Sequence, residues 1–157
     1  MRYETQEATL PLVGALLRRP EVTVRHEVMS ALHAAGFHDV LPAHLGVFQY
    51  PGPDGQRPGV LAMRTLASKQ AMNHLLHQLE SGGYIRRESH PDDRRTRVVR
   101  LTDRGWSAYG VIRQTVARIE HDWYAALGDD VYAGLARALE QLELVLNDKG
   151  RPKPERA

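Results

Sequence analysis

The sequence predicts a mostly α-helical (α+β) protein with one β-hairpin near its middle. Apolar residues recur at helical spacing over residues 10–35 and again over residues 103–146. Runs typical of β-strands occur only at residues 84–88 and 97–101, on either side of a turn rich in Pro and Asp. The predicted order of elements is therefore helices, one hairpin and helices.

The composition indicates one globular domain that needs no disulfide. The chain has 157 residues, 42% of them hydrophobic, and it has no cysteine, which excludes thiol redox sensing. Its formal net charge is only +2, so a basic surface would be local rather than a polybasic arm. No apolar run approaches the ~20 residues of a membrane span, and Glu4 and Glu7 are unlike the start of a signal peptide. We expect a cytoplasmic protein with no membrane partner.

The first third of the chain predicts one interrupted helix and two shorter ones. Pro20 falls inside the helical pattern, and because proline lacks the backbone donor we expect a kink or a break there, with a second helix over residues 20–35. Gly36 is a natural stop. Short helices are predicted at residues 42–50 and 58–65, separated by the Pro- and Gly-rich loop 51–55 and a short edge strand near Arg57.

The helix that follows Ser68 has an unusual polar face. Ser68 is a suitable N-cap, and Gly82-Gly83 ends the helix. Its buried stripe has the spacing i, i+3, i+4, i+7 and consists of Met72, Leu75, Leu76 and Leu79. The opposite row has no carboxylate and consists of Gln70, His74, His77 and Ser81, flanked by Asn73 and Gln78. Amides, imidazoles and hydroxyls can read base edges without repelling phosphates.

The predicted hairpin is rich in arginine. Its basic residues are Arg86, Arg87, Arg94, Arg95, Arg97 and Arg100, against the acids Glu88, Asp92 and Asp93. A basic hairpin beside an acid-free helix face is typical of a surface that neutralises phosphates. The alternative is a solvated hairpin beside a plain helix, in which individual arginines pair with Glu88 or Asp103.

Two long helices are predicted after the hairpin. Thr102 caps the first, over residues 103–126, and its apolar positions alternate steps of three and four, which is typical of a long helix packed lengthwise on another: Tyr109, Ile112, Val116, Ile119 and Trp123. Gly128 separates it from a last helix with a stripe of Val131, Leu135, Leu139, Leu142 and Leu146. Residues 150–157 have the composition of a disordered tail.

This layout resembles the MarR family of winged helix-turn-helix bacterial transcriptional regulators. The matching motifs are Leu61-Ala62-Met63-Arg64 ahead of Ser68-Lys69, then residues 79–87, the turn Pro91-Asp92-Asp93-Arg94-Arg95 and the Leu-Thr-x-x-Gly motif at residues 101–105. The resemblance implies one MarR-like domain over residues 1–157. Within it, residues 37–101 would form the winged-helix DNA-binding lobe, and residues 8–36 and 102–149 would form dimerisation helices.

The resemblance also implies a function and a set of DNA contacts. We expect a homodimer that binds pseudo-palindromic double-stranded DNA, usually as a repressor, and that is neither an enzyme nor dependent on a cofactor. The expected major-groove residues are Ser68, Lys69, Gln70, Asn73 and His74, and His77 is a further expected DNA-binding residue. Arg94 or Arg95 would reach the minor groove, and Asp93 matches the acid that holds the wing by an ion pair. Arg86, Arg87, Arg97 and Arg100 would contact phosphates without specifying sequence.

The residue chemistry adds detail to that expectation. Asn73 and Gln70 have the amide geometry for bidentate contact with adenine, while Lys69 favours guanine or phosphate. His74 departs from the family pattern, in which arginine is common at this position. The wing arginines suit a narrow A·T-rich minor groove. Two-fold symmetry predicts half-sites about one helical turn apart.

The resemblance further implies a small aromatic or lipophilic effector that releases the DNA. Its pocket would lie between the first long helix, the helix at residues 42–50 and the helix at residues 103–126. The candidate lining residues are His26, Met29, His33, Val47, Phe48, Tyr50 and Tyr109, all of which are equally compatible with core or dimer packing.

Three other functional classes remain as alternatives. The chain has eight histidines, and nitrogen-rich clusters such as His33, His38 and His44 could make a Zn- or Ni-responsive regulator, but no His-Glu-x-x-His motif or cysteine ligand supports a metal site. No Gly-rich phosphate loop, Gly-x-Ser-x-Gly elbow or carboxylate pair indicates an enzyme. A winged helix used only for protein contact is the third class, which the acid-free face and arginine wing disfavour.

Overall fold

The computed structural model describes residues 12–49, 55–90 and 93–149. The fold is mostly α-helical with one two-stranded antiparallel sheet among the described residues, so the predicted fold class is confirmed. A 3-10 turn at Pro42–His44 precedes α2. The elements are α1 (Val13–Ala34), α2 (Leu45–Phe48), α3 (Pro58–Arg64), α4 (Lys69–Ser81), β1 (Ile85–His90), β2 (Asp93–Leu101), α5 (Asp103–Leu127) and α6 (Asp129–Lys149). The predictions for residues 8–11, the loop at 51–54 and the tail at 150–157 lie outside the described residues.

The expectation of two helices separated at Pro20 is wrong. Helix α1 runs unbroken from Val13 to Ala34 with Pro20 inside it. The proline removes a single backbone donor, and its would-be partner, the carbonyl of Leu16, belongs to an exposed residue that water can reach. The helix ends where predicted, with Gly36 at a φ of +91°.

The hairpin is longer than the sequence predicts. Its register pairs Ile85 with Leu101 at the base and continues to Ser89 and Arg97, after which a bulge falls between Ser89 and His90. The predicted edge strand near Arg57 is reduced to one bridge, in which the amides and carbonyls of Gln56 and Val99 exchange hydrogen bonds of 3.0 and 2.8 Å. The sheet therefore has two strands and one additional residue at its edge.

The chain divides into two compact units, Met1–Val116 and Ala117–Ala157. The first unit contains the winged helix and a continuous apolar core. That core takes side chains from every element of the lobe and includes Val28, Leu32, Val40, Val47, Phe48, Leu61, Met72, Leu76, Leu79, Tyr84, Ile85, Val99, Leu101 and Ala108. Three of the four stripe residues predicted for α4 are buried in it, and the fourth, Leu75, is half-buried. Helix α4 is thereby fixed with its polar row outward.

A polar cluster at one end of α4 joins three parts of the first unit. The buried Tyr84 donates a hydrogen bond from its hydroxyl to Asp39 in the loop after α1. Arg104, in the first turn of α5, donates from Nη2 to Asp39 Oδ1 at 3.1 Å and to the Tyr84 hydroxyl at 2.9 Å, and its guanidinium lies 4.6 Å from the Tyr84 ring centroid. The cluster holds the start of the hairpin and the start of α5 together.

The same cluster shifts the titration of its members. Burial alone would raise the pKa of the Asp39 carboxyl, but the hydrogen bond from Tyr84 and the Arg104 guanidinium lower it below its ordinary value. Burial, followed by the hydrogen bond to Asp39, raises the pKa of the Tyr84 hydroxyl, which stays protonated. Because its pKa is lower in the folded state, ionised Asp39 stabilises the fold above its unfolded pKa near 3.8. That stabilisation disappears as the pH falls through the lower folded value.

We expect Tyr84→Phe to reduce the free energy of unfolding by about 1–2 kcal/mol, because Asp39 and Arg104 lose a partner. Urea denaturation at neutral pH measures the loss, which should shrink as the pH is lowered through the folded pKa of Asp39. Tyr109→Phe is the matched control, since no hydrogen bond from the Tyr109 hydroxyl is found within the described residues. Equal stability of Tyr84→Phe and the parent protein would contradict the structural role of this hydroxyl.

Candidate nucleic-acid interface

Local signals fix both ends of helix α4. Ser68 accepts a hydrogen bond from the amide of Ala71 at 3.1 Å through its Oγ, as an N-cap does. At the other end Gly82 is the C-cap, and Gly83 takes a φ of +75° that leads the chain into β1. These two ends and the buried stripe determine which side chains α4 presents to the surroundings.

The structure places all of the DNA-contacting residues predicted for α4 and its cap on the exposed surface, where they share one face, which we name the reading face after that prediction. They are Ser68, Lys69, Gln70, Asn73, His74 and His77. Gln78, which flanks the polar row, is half-buried, and its side chain is hydrogen-bonded within the protein. The buried His44 accepts a hydrogen bond at Nδ1 from the amide of Leu41 at 3.1 Å, so its Nε2 carries the proton that it shares with Gln78 Oε1 at 3.0 Å.

The hairpin is attached to α4 through Arg87. Its guanidinium Nε lies 3.2 Å from Glu80 Oε2, its backbone amide donates to Glu80 Oε1 at 3.3 Å, and its Nη2 donates to the carbonyl of Asn73 at 3.4 Å. Glu80, the carboxylate within α4, is therefore neutralised by the hairpin. Arg87 orients the wing relative to the reading face and is committed to this role rather than to phosphate contact.

The remaining hairpin arginines differ in their ion pairs and in their exposure. Arg86 donates from Nε to Glu88 Oε2 at 3.1 Å, and Arg100 pairs with the other oxygen of the same carboxylate. Even so, the Arg86 side chain is 59% exposed. Arg97 is exposed and lies opposite Ser89. The backbone of residues 93–95 belongs to β2, but the side chains of Asp93, Arg94 and Arg95 lie outside the described part of the chain.

The predicted effector residues fall into four groups. Val47 and Phe48 are buried in the core, and Met29 and Tyr109 pack partly buried against it. His26 and His33 are exposed, and the His33 ring lies 5.8 Å from that of His38. Tyr50 lies outside the described residues. The effector pocket thus stays a prediction.

An open cleft of about 210 Å³ lies beside the reading face and is lined by Pro58, Gly59, Lys69 and Asn73. The residues with described positions include no group of three or more His, Cys, Asp or Glu side chains that could hold a metal ion. None of the described helices is both long and apolar enough to cross a membrane.

These features define a class of protein. Two short helices lead through a turn into α4, whose polar row faces outward, and a basic hairpin is tied to α4 by the Arg87–Glu80 pair. This is a winged helix-turn-helix, in which the exposed second helix of the motif and the wing are the elements that contact DNA.

Residues 38–96 match the family model described as the MarR family. The match covers the winged-helix part of the chain, which is therefore similar to the MarR family of transcriptional regulators. No curated protein is similar enough in sequence to count as a relative.

Solved structures share the fold over most of the chain. FabT from Streptococcus pneumoniae in complex with DNA has a TM-score of 0.71 at 18% identity, with 87% of this chain and 96% of that chain covered. CouR from Rhodococcus jostii RHA1 bound to p-coumaroyl-CoA has a TM-score of 0.66 at 19% identity, covering 90% and 93%. A MarR family transcriptional regulator from Rhodococcus sp. RHA1 has a TM-score of 0.66 at 20% identity, covering 83% and 91%. At these identities the likeness establishes the fold.

Proposed function

We propose that this protein is a homodimeric, sequence-specific DNA-binding regulator, acting in the cytoplasm as a repressor of transcription. The observation that carries the proposal is the exposed, carboxylate-free row of α4 beside an arginine-rich hairpin. Its amide and imidazole side chains match the donors and acceptors of base edges, and the absence of negative charge lets the helix approach phosphates. FabT shares the fold, and its solved structure is a complex with DNA.

Each part of the interface has a separate task in this proposal. Gln70, Asn73 and His74 read bases in the major groove, with Ser68, Lys69 and His77 at its sides. Arg94 or Arg95 enters the minor groove, and Asp93 holds the wing. Arg86 and Arg97 contact phosphates and position the protein without specifying sequence.

Dimerisation is supported by apolar side chains that the described residues leave uncovered. In α6 the predicted stripe of Val131, Leu135, Leu139, Leu142 and Leu146 is exposed throughout, and in α1 so are Val13 and Leu16. Exposed apolar rows of this kind are typical of subunit interfaces. We propose that the helices at residues 8–36 and 102–149 pair two copies of the chain.

Selection of bound sequences from random duplex DNA tests the proposal. We expect enrichment of an inverted repeat whose half-sites lie about one helical turn apart, because a two-fold symmetric dimer presents two copies of α4. Recovery of unenriched DNA at low salt would contradict sequence-specific binding. If the protein retained no DNA at all, the remaining interpretation would be a winged helix used for protein contact.

Replacing Arg95 with alanine tests the wing. We expect operator affinity to fall at least about tenfold, because each half-site then loses the Arg95 guanidinium from its narrow minor groove. The slope of log affinity against log salt should also become shallower, by about one unit for each phosphate that the variant no longer neutralises. Gel-shift titrations at several salt concentrations measure both quantities.

Arg118→Ala is the charge-matched control for the wing. Arg118 is an exposed arginine in the second unit that pairs with Asp122 at 3.5 Å, and its removal should leave operator affinity and salt slope unchanged. Equal behaviour of the two variants would remove Arg95 from the interface.

We further propose that a small aromatic or lipophilic molecule releases the DNA. CouR, which shares the fold, was solved with p-coumaroyl-CoA bound. In this chain the side chains of Met29 and Tyr109 are partly buried at the edge of the core. Together with His26, His33, Val47, Phe48 and Tyr50 they are the proposed pocket. A gel-shift screen of phenolic and acyl compounds on the selected operator should find a releasing ligand, and Tyr109→Ala should weaken its effect without weakening DNA binding.

A further inference from the structure

Three helices of the first unit end in the same hydrogen-bonding pattern. The residue after the C-cap donates to a carbonyl three residues back, and the following amide donates to a carbonyl five residues back. In this Schellman pattern the residue after the C-cap takes a left-handed conformation, which glycine adopts without strain. At the ends of α1 and α4 this residue is Gly36, with a φ of +91°, and Gly83, with a φ of +75°.

At the end of α3 the same position is occupied by Leu66. Its amide donates to Met63 O at 3.3 Å, the amide of Ala67 donates to Ala62 O at 2.9 Å, and its φ is +54°. Leu66 is the one non-glycine residue with positive φ in the described part of the chain. A Cβ in this conformation crowds the following carbonyl, so the leucine makes the turn less stable than glycine would.

Packing gives no compensation for that strain. Leu66 is 95% exposed, so its side chain is almost completely surrounded by solvent. An apolar side chain in water gains nothing from the hydrophobic effect. The conformation and the exposure both disfavour leucine here. Strained residues that the fold does not require are concentrated at functional sites.

The position of Leu66 indicates which function is involved. It lies in the turn of the helix-turn-helix, two residues before the N-cap Ser68, and the exposed Lys69 and Gln70 follow directly after that cap. In this motif the N-terminal residues of the second helix contact base edges, so the turn lies at the rim of the major groove. The apolar group presented in that groove is the 5-methyl of thymine.

We infer that Leu66 contacts thymine 5-methyl groups of the operator and is a specificity-determining residue for A·T pairs beside the start of α4. The inference rests on the proposed DNA-binding function. In the complex the leucine side chain is removed from water and packs against the methyl group. The free energy gained by this burial offsets the strain that Leu66 introduces into the free protein.

Three substitutions separate the strain from the contact. Leu66→Gly removes both the Cβ and the apolar side chain, Leu66→Ala keeps the strained Cβ but removes the apolar side chain, and Leu66→Met keeps both. The thermal midpoint of the DNA-free protein should rise by about 4 °C for Leu66→Gly and change little for the other two. Operator affinity should fall about tenfold for Leu66→Gly and Leu66→Ala and stay near that of the parent for Leu66→Met.

A second DNA probe identifies the contacted group. The operator obtained by selection is synthesised with deoxyuridine in place of thymidine, which removes only the methyl groups. On this duplex the parent protein and Leu66→Ala should bind with affinities that differ by less than about twofold, since the duplex has no methyl group for leucine to contact. A double-mutant cycle over protein and DNA corrects for other effects of deoxyuridine.

Two results would overturn the inference. Unchanged operator affinity of Leu66→Gly and Leu66→Ala would show that Leu66 does not face DNA. An equal drop in affinity on the thymidine and deoxyuridine duplexes would show that its contact is not a methyl group. Neither result would touch the proposed function, which stands or falls with the enrichment and gel shift of the parent protein.

Discussion

Replacing Gly105 with alanine is expected to reduce the free energy of unfolding by about 3 kcal/mol or more. Gly105 lies in the first turn of α5, directly against the start of the hairpin. A Cβ added to it would lie 2.0 Å from the carbonyl oxygen of Tyr84 and 3.2 Å from Leu101 Cβ. The Tyr84 carbonyl also accepts the amide of Thr102 at 3.0 Å, so it cannot move away without breaking that bond.

Magnitudes decide the direction of this effect. Alanine in place of glycine inside a helix would by itself stabilise α5 by about 0.5–1 kcal/mol. The clash with a fixed backbone atom outweighs that gain because the helix must shift or the hairpin must open. A protein of this size has a total stability of about 5–15 kcal/mol, so the loss is a large part of it.

Gly110→Ala is the matched control on the same helix. A Cβ at Gly110 would meet nothing within 4 Å, so the substitution should leave stability unchanged or slightly higher. Urea denaturation of both variants measures the difference. If Gly105→Ala were as stable as Gly110→Ala, the close approach of α5 to the hairpin would be contradicted.

Asn73→Asp is expected to weaken operator binding by about 100-fold or more. The substitution keeps the shape of the side chain but replaces an amide, which can pair with adenine for about 1–3 kcal/mol, with a carboxylate. The new charge would also lie on the face that we propose approaches phosphates, and unfavourable like-charge contacts at an interface cost several kcal/mol. Asn73 is exposed, and it accepts the hydrogen bond from Arg87 through its backbone carbonyl and not through its side chain. The substitution should therefore leave the fold unaffected.

Asn73→Ala separates removal of the amide from addition of the charge. It should weaken binding by about tenfold, since it removes the base contact without introducing repulsion. Gel-shift titrations measure both affinities, with thermal midpoints as the check on folding. If the aspartate variant bound as tightly as the alanine variant, the α4 face would not lie near phosphates.

The Leu-Thr-x-x-Gly motif shows what local sequence can predict. Leu101 is buried at the base of the hairpin, Thr102 accepts the amide of Gly105 at 3.1 Å as an N-cap, and Gly105 permits the close approach of α5. Each role follows from short-range chemistry. The cap at Ser68 and the stops at Gly36, Gly83 and Gly128 were likewise predictable, because they depend on a few neighbouring backbone groups.

Features that depend on distant residues could not be read from the sequence. The Arg87–Glu80 pair joins a strand to a helix, and Gln78 is held by His44 from 34 positions away. No periodicity distinguishes those residues from their exposed neighbours. Pro20 shows the opposite error, in which a strong local signal is outweighed by an otherwise complete helix. The left-handed conformation of Leu66 is likewise not predictable, because a leucine carries no sequence signal for it.

The central claim is a two-fold symmetric dimer that reads DNA with α4. Its most direct test is site-directed cleavage of DNA from a single introduced cysteine. Because the parent chain has no cysteine, Ser81→Cys gives one attachment point per protomer, at the exposed C-terminal end of the polar row. An iron chelate attached there cleaves nearby DNA. We predict two clusters of cuts on the selected operator, related by its symmetry and about one helical turn apart. A single cluster or uniform cleavage would contradict the account.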